Sequence, residues 1–173
     1  MSTTYDQAKS RRNALERLGE KIPGFAGFQD RELRRELDRR ERESLAELLL
    51  AAKRALREKA RTHTEAGRLA ELTLFDRLER RLEGFAQAVR HADYGATGFF
   101  DAVKVREEDL TRLYDFDLGF FSEVEALSGL VEAMPAGTGE ATAAVEAAIA
   151  RLATIEQSWG RRGEILAGFA SGL

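Results

Sequence analysis

The chain has 173 residues, of which 43% are apolar and 33% charged, with a net charge of −3 and no cysteine. That length can bury one sizeable core, while the missing thiols exclude disulfides, thiolate metal sites and a cysteine nucleophile. The stretch Met1 to Gly19 is polar and no apolar run approaches the ~18 residues of a span, so neither signal peptide nor membrane helix is expected, and a cytoplasmic location is.

Val and Ile are scarce beside Ala, Leu, Glu and Arg, a balance that favours helix over sheet. Residues 5–19 can form a short amphipathic helix on Tyr5, Ala8, Leu15 and Leu18. Residues 1–22 are read as an N-terminal segment, and 23–173 as one helical-bundle domain.

After Pro23 comes a pattern that the chain uses twice, G-x-x-G-F-x-D, at Gly24–Asp30 and again at Gly95–Asp101. Each copy stands before a long charged segment with helical spacing, and Asp30 can cap the first of these by accepting from a free backbone N–H. The first long helix is expected over about Arg31 to Thr62, with Leu33, Leu37, Leu45, Leu48, Leu49, Ala52 and Leu56 as its stripe. Most of the Arg/Glu run within residues 31–43 reads as an exposed, salt-laced face.

Thr62 to Gly67 is expected to be a tight turn, with His63 inside it. The second helix carries Leu72, Phe75, Leu78, Leu82, Phe85, Val89 and Ala92 at alternating steps of three and four, a coiled-coil seam. It ends near Tyr94 and the second glycine motif. The third, from about Ala102 to Ala133, keeps the same schedule through Leu110, Leu113, Phe120, Val124, Leu127 and Val131. A break at Met134–Gly139 leads to a fourth, built on Val145, Ile149, Leu152, Ile155, Trp159, Leu166 and Phe169. Short connections make sequential helices antiparallel, so the expected fold is all-α, an up-down bundle of four long helices.

Both glycine motifs should then meet at one end of the bundle. The candidate binding surface is Gly24, Phe25, Gly27 and Phe28 with Tyr94, Gly95, Gly98, Phe99 and Phe100. The plainer reading is that the glycines permit tight turns while Phe28 and Phe99 staple the loops. Two helix N-termini would also attract an anion, but Asp30 and Asp101 already stand there. No strand precedes either motif and no G-K-[ST] follows, which excludes a phosphate loop.

Asp117 falls on the apolar seam of the third helix, where a carboxylate needs a partner. Arg77 and Arg81 are placed at its height on the second helix, and Arg54 near that height on the first. Arg162 lies on the seam of the fourth, nearer the glycine-motif end, with Asp109 or Glu108 as its expected partner. These residues form a candidate buried polar network, and a perturbed functional acid at Asp117 is the sharper reading. The two histidines, His63 and His91, have no Glu three residues before them, so no bundle-type His–carboxylate metal site is read. No catalytic residue and no cofactor is assigned.

The stretch Pro23–Phe28 with Glu32, Arg34, Arg35, Asp38 and Arg39, then Tyr94–Asp101 and Tyr114–Asp117, resembles a family of short Arg/Glu-rich helical bacterial proteins. The resemblance implies that the glycine motifs and the Asp117 region are the family marks. It carries no reaction, cofactor or substrate.

Residues 1–106 hold 23 basic and 18 acidic side chains, whereas residues 107–173 hold 4 and 12. Basic and acidic helices are expected to pack as neighbours, with an acidic face available to a basic partner or to another copy. Acids interleave the basic half, so nucleic acid is not an expected partner. The leading expectation is a non-enzymatic protein-interaction or scaffold module. The rivals are a membrane-surface or stress adaptor anchored by residues 5–19, and a small-ligand binder or enzyme using Asp117 and the glycine-motif end.

Overall fold

The computed structural model describes residues 17–18, 20, 31–92 and 107–171. The fold is an all-α helical bundle of four long helices and one 3-10 turn, with no strand among the described residues. Helix α1 spans Arg31–Glu65 and α2 Leu72–Arg90, joined through a 3-10 turn at Leu69–Glu71. Helix α3 spans Glu107–Glu132 and α4 Glu140–Ser171. The two glycine motifs, including Gly24, Phe25, Gly27, Phe28, Tyr94, Gly95, Gly98, Phe99 and Phe100, lie outside the described residues, as does the expected boundary at residue 22.

The expected turn at Thr62–Gly67 is corrected. Helix α1 runs on to Glu65, and the reversal is made at Gly67, whose φ of 75° is in the left-handed region. Gly67 N–H bonds to the Thr64 carbonyl at 2.9 Å and Arg68 N–H to the His63 carbonyl at 3.1 Å. That pair of bonds is the Schellman closure, which uses the free carbonyls of the last turn and suits glycine. The threonines do not break the helix because each hydroxyl turns back on its own backbone. Thr62 donates to the Glu58 carbonyl at 3.1 Å and Thr64 to that of Ala60 at 2.9 Å.

The chain divides into two compact units. The described part of the first comprises residues 17–18, 20, 31–44, 92, 107–121 and 158–171. Its core holds Leu18, Leu37, Leu113, Phe120, Phe121 and Leu166, all buried. Asp117 of α3 meets Arg162 of α4, and Phe120 meets Trp159 with ring centroids 5.3 Å apart. Residue numbers rise on one helix as they fall on the other, so α3 and α4 are antiparallel here.

The second unit comprises Leu45–His91 and Ser122–Gln157. In α2, Phe75, Leu78, Leu82, Phe85, Ala86 and Val89 are buried. Leu45, Leu49 and Leu56 of α1 are buried in the same unit, as are Val124, Leu127 and Val131 of α3 and Val145, Leu152 and Ile155 of α4. Ion pairs join the outer edges of α1 and α2: Arg57 to Glu79 at 2.7 Å, Lys53 to Glu83, and Arg90 to Glu47 at 2.6 Å. Their order makes α1 and α2 antiparallel.

Apolar burial outweighs these rim pairs. Leu82 is 0% exposed, and its replacement by Ala should cost about 2–5 kcal/mol in urea denaturation, because the lost transfer energy adds to a cavity. Arg57→Ala should cost under about 1 kcal/mol, since Arg57 is 58% exposed. A Leu82→Ala loss no larger than the Arg57→Ala loss would show that the α2 seam is not core.

Candidate functional site

Three helices of the first unit place charged residues on their own buried stripes. On α1, Glu41 stands four residues after buried Leu37 and four before Leu45, with Asp38 on the adjoining row. On α3, Asp117 continues the steps of Leu110, Leu113 and Tyr114. On α4, Arg162 lies between Trp159 and Leu166. All four charged side chains are almost wholly enclosed, Asp117 at 1% and Glu41 at 2% exposure, with Arg162 at 3% and Asp38 at 5%.

Arg162 organises the cluster. Its Nε donates to Asp117 Oδ1 at 2.7 Å and one terminal nitrogen to Oδ2 at 3.0 Å, a fork that satisfies both carboxylate oxygens. The same terminal nitrogen donates to Asp38 Oδ1 at 2.9 Å and lies 3.5 Å from Glu41 Oε2. Arg42 closes the outer side, with Nε 3.0 Å from Asp38 Oδ2. The guanidinium also lies over the Trp159 ring, 5.2 Å from its centroid, which adds a cation–π contact.

Asp38, Glu41 and Asp117 thus face two guanidinium groups, and one carboxyl group keeps its proton. Burial pushes Glu41 well above the usual carboxyl range, and the neighbouring Asp117 charge pushes it further. Its Oε1 is buried without a hydrogen-bond partner, a position that a neutral carboxyl tolerates and a carboxylate does not. Burial also raises Asp117, but Arg162 opposes that rise through both oxygens, so Glu41 is the carboxyl group raised further and the one on which a proton is expected. Burial works against the charge on Arg162 too, yet the carboxylates around it, Asp117 first, outweigh that and hold its pKa above the usual value.

The structure brings together Asp117 and Arg162 from the candidate network but corrects their partners. Arg77 is exposed, one residue short of buried Leu78 and so off the α2 stripe. Arg81, half-buried, bonds to Glu156 at 2.5 Å and to the Ile149 carbonyl at 3.4 Å within the second unit. Asp109 sits eight residues before Asp117, about 12 Å along a helix, and Arg162 engages Asp117 instead. Asp38 and Glu41 fall within the run expected to be mostly an exposed, salt-laced face, yet both are buried. The signal for Glu41 is the eight-residue gap between Leu37 and Leu45, which it bisects on the apolar stripe.

Among the described residues no group of three or more His, Cys, Asp or Glu side chains is arranged to hold a metal ion. No described helix is long and apolar enough to cross a membrane. In comparisons with protein-family models, curated proteins and solved structures, no match to this chain was found. What the cluster can do chemically is hold one proton and lock three helices in register.

Two outcomes follow from this geometry. Arg162→Leu should cost roughly 3–5 kcal/mol, because Asp117 is left buried without its cation and Asp38 keeps only Arg42. A loss below about 0.5 kcal/mol, the range of ordinary surface changes, would mean that water reaches the cluster.

The second outcome concerns pH. Glu41 binds its proton more tightly folded than unfolded, so its contribution to stability is full below about pH 4.5 and fades as pH rises towards its native pKa. Its slope is at most about 1.4 kcal/mol per pH unit. Glu41→Gln should therefore gain on wild type as pH rises from 5 to ~8 in paired denaturation curves. A difference between the two proteins that stays constant with pH would show Glu41 ionised in both states.

Proposed function

We propose that this chain is a non-enzymatic, cytoplasmic protein-interaction module that docks a basic helix of a protein partner on outward faces of α3 and α4 in the second unit. The observation carrying the reading is a second, outward periodicity. Ser122, Ala126, Gly129 and Leu130 of α3 are exposed at helical steps, as are Ala143, Ala147 and Ala150 of α4. Faces of such small residues let another helix backbone approach closely.

Gly129 lies on this face. A Cβ built there would meet nothing within 4 Å, as at Gly84, Gly119, Gly160, Gly163 and Gly168, so packing among the described residues does not require glycine. Mid-helix glycine nevertheless costs up to about 1 kcal/mol relative to Ala. A neighbouring helix supplied by a partner would account for that cost. Residues 107–132 contain Arg112 as their single base against eight acids, which favours a basic occupant. Asp117 supports the non-enzymatic side of the proposal, since both its oxygens are bonded to Arg162 and it is 1% exposed.

Gly129→Ala should raise stability by about 0.5–1 kcal/mol, because φ there is helical and the added methyl has room. Ala126→Leu/Gly129→Leu should abolish capture of proteins from a bacterial lysate while leaving the helical circular dichroism unchanged. Sedimentation velocity at low salt decides whether the occupant is another copy, which would appear as a wild-type dimer lost in the double variant. Capture and sedimentation that are identical for wild type and double variant would overturn the proposal.

A further inference from the structure

The corner between α1 and α2 contains a second buried titratable group, separate from the carboxyl cluster. His63 is 0% exposed and its ring packs against Phe75 with centroids 5.0 Å apart. Both ring nitrogens are used. Gly137 N–H donates to Nδ1 at 3.1 Å, and Nε2 lies 3.1 Å from Glu71 Oε2. A backbone N–H can only donate, so Nδ1 must be bare and the single ring proton sits on Nε2, directed at Glu71. The imidazole therefore links three pieces of backbone within the second unit: the last turn of α1, the 3-10 turn, and the loop before α4.

We propose that His63 is a pH-sensitive latch on the Met134–Gly139 loop, closed while Nδ1 accepts from Gly137 and released when Nδ1 takes up a proton. Protonation turns that nitrogen from acceptor to donor and sets one N–H against another. The other side of the ring is built to survive the change. Burial opposes the charge on Glu71, but Arg68 and the bond from His63 outweigh it and hold the Glu71 carboxyl below its ordinary value. Arg68 fixes Glu71 from the same turn, with a terminal nitrogen 2.5 Å from Oε1. Imidazolium would keep its bond to Glu71 and lose the one to the loop.

The other charged groups at this corner do not compete for the ring. Arg61 and Glu65, on the same helix, pair with each other at 3.5 Å and are largely exposed. Beyond the imidazole bond, the loop meets the corner by packing. A Cβ built on Gly137, whose φ is 73°, would lie 3.5 Å from Ala66 Cβ and 3.8 Å from Thr62 Cγ2, and one on Gly139 would lie 3.2 Å from a terminal nitrogen of Arg68. The His63 bond is the link to the loop that protonation breaks, and this inference is independent of the docking faces proposed above.

The test is amide exchange and ring-nitrogen NMR on the full chain at about pH 7.5 and about pH 5.5, which bracket ordinary imidazole titration. The protection factor of Gly137 should fall about tenfold at the lower pH, the ratio carried by one ordinary hydrogen bond. Ala148 in α4 should keep its protection. His63→Asn, whose side-chain oxygen replaces Nδ1 as acceptor but does not titrate, should hold Gly137 equally at both values. The wild-type ring should show a bare Nδ1 at the higher pH and a protonated one at the lower, tracking the Gly137 amide shift. A protonated Nδ1 at the higher pH, or Gly137 protection unchanged between the two in wild type, overturns the proposal. So does an equal loss in His63→Asn, and if that variant does not fold the wild-type ring signals decide alone.

Discussion

One guanidinium with no access to water constrains the first unit more than any apolar contact does. Leu37 or Leu166 can exchange one neighbour for another at modest cost, because dispersion has little direction. Arg162 cannot. Its fork must meet both oxygens of Asp117 while a shared nitrogen meets Asp38. A slip of α3 by one turn would bring Leu113 or Phe121 to the fork and strand a buried charge. The cluster therefore contributes more to choosing one register among α1, α3 and α4 than to the total stability. A matched set of apolar side chains could hold these helices as firmly, without penalising a slipped alternative.

The second unit solves the same problem with backbone and ring. Its seam is mostly apolar, and its defined point is the corner where Gly67 closes α1 and the buried His63 meets the loop before α4. His63 is engaged twice: its carbonyl takes Arg68 N–H while its side chain takes Gly137 N–H. The residue that ends one helix is thus tied to the loop leading into another. Positive φ at both Gly67 and Gly137 allows the two turns to close without strain.

Much of this was legible in the sequence. The stripes of α2, α3 and α4, their break at Met134–Gly139 and the burial of Asp117 all follow from apolar spacing, because long amphipathic helices have few alternative ways to hide one face. What failed was pairing across space. Arg162 lies on its expected seam but bonds to Asp117 and Asp38 rather than to Asp109 or Glu108, because apolar spacing does not fix the path of the loop between two helices. Glu41 and Asp38 were missed for a different reason. Dense Arg/Glu sequence looks uniformly solvated, and only phase relative to Leu37 and Leu45 reveals which acid turns inward. His63 was misplaced because threonines on both sides have low helix propensity, while their hydroxyls in fact bond back to the helix.

Two features carry a local cost, and they differ in kind. Glu41 Oε1 is an orphan acceptor inside the fold, and a retained proton removes most of its penalty by keeping that carboxyl neutral. The cost is explained where it arises. Gly129 is an exposed glycine in a helix where alanine would fit, as Gly84, Gly119 and Gly160 also are. Alanine at such a position would touch nothing and would restrict the unfolded chain, so stability alone argues against glycine at each of them.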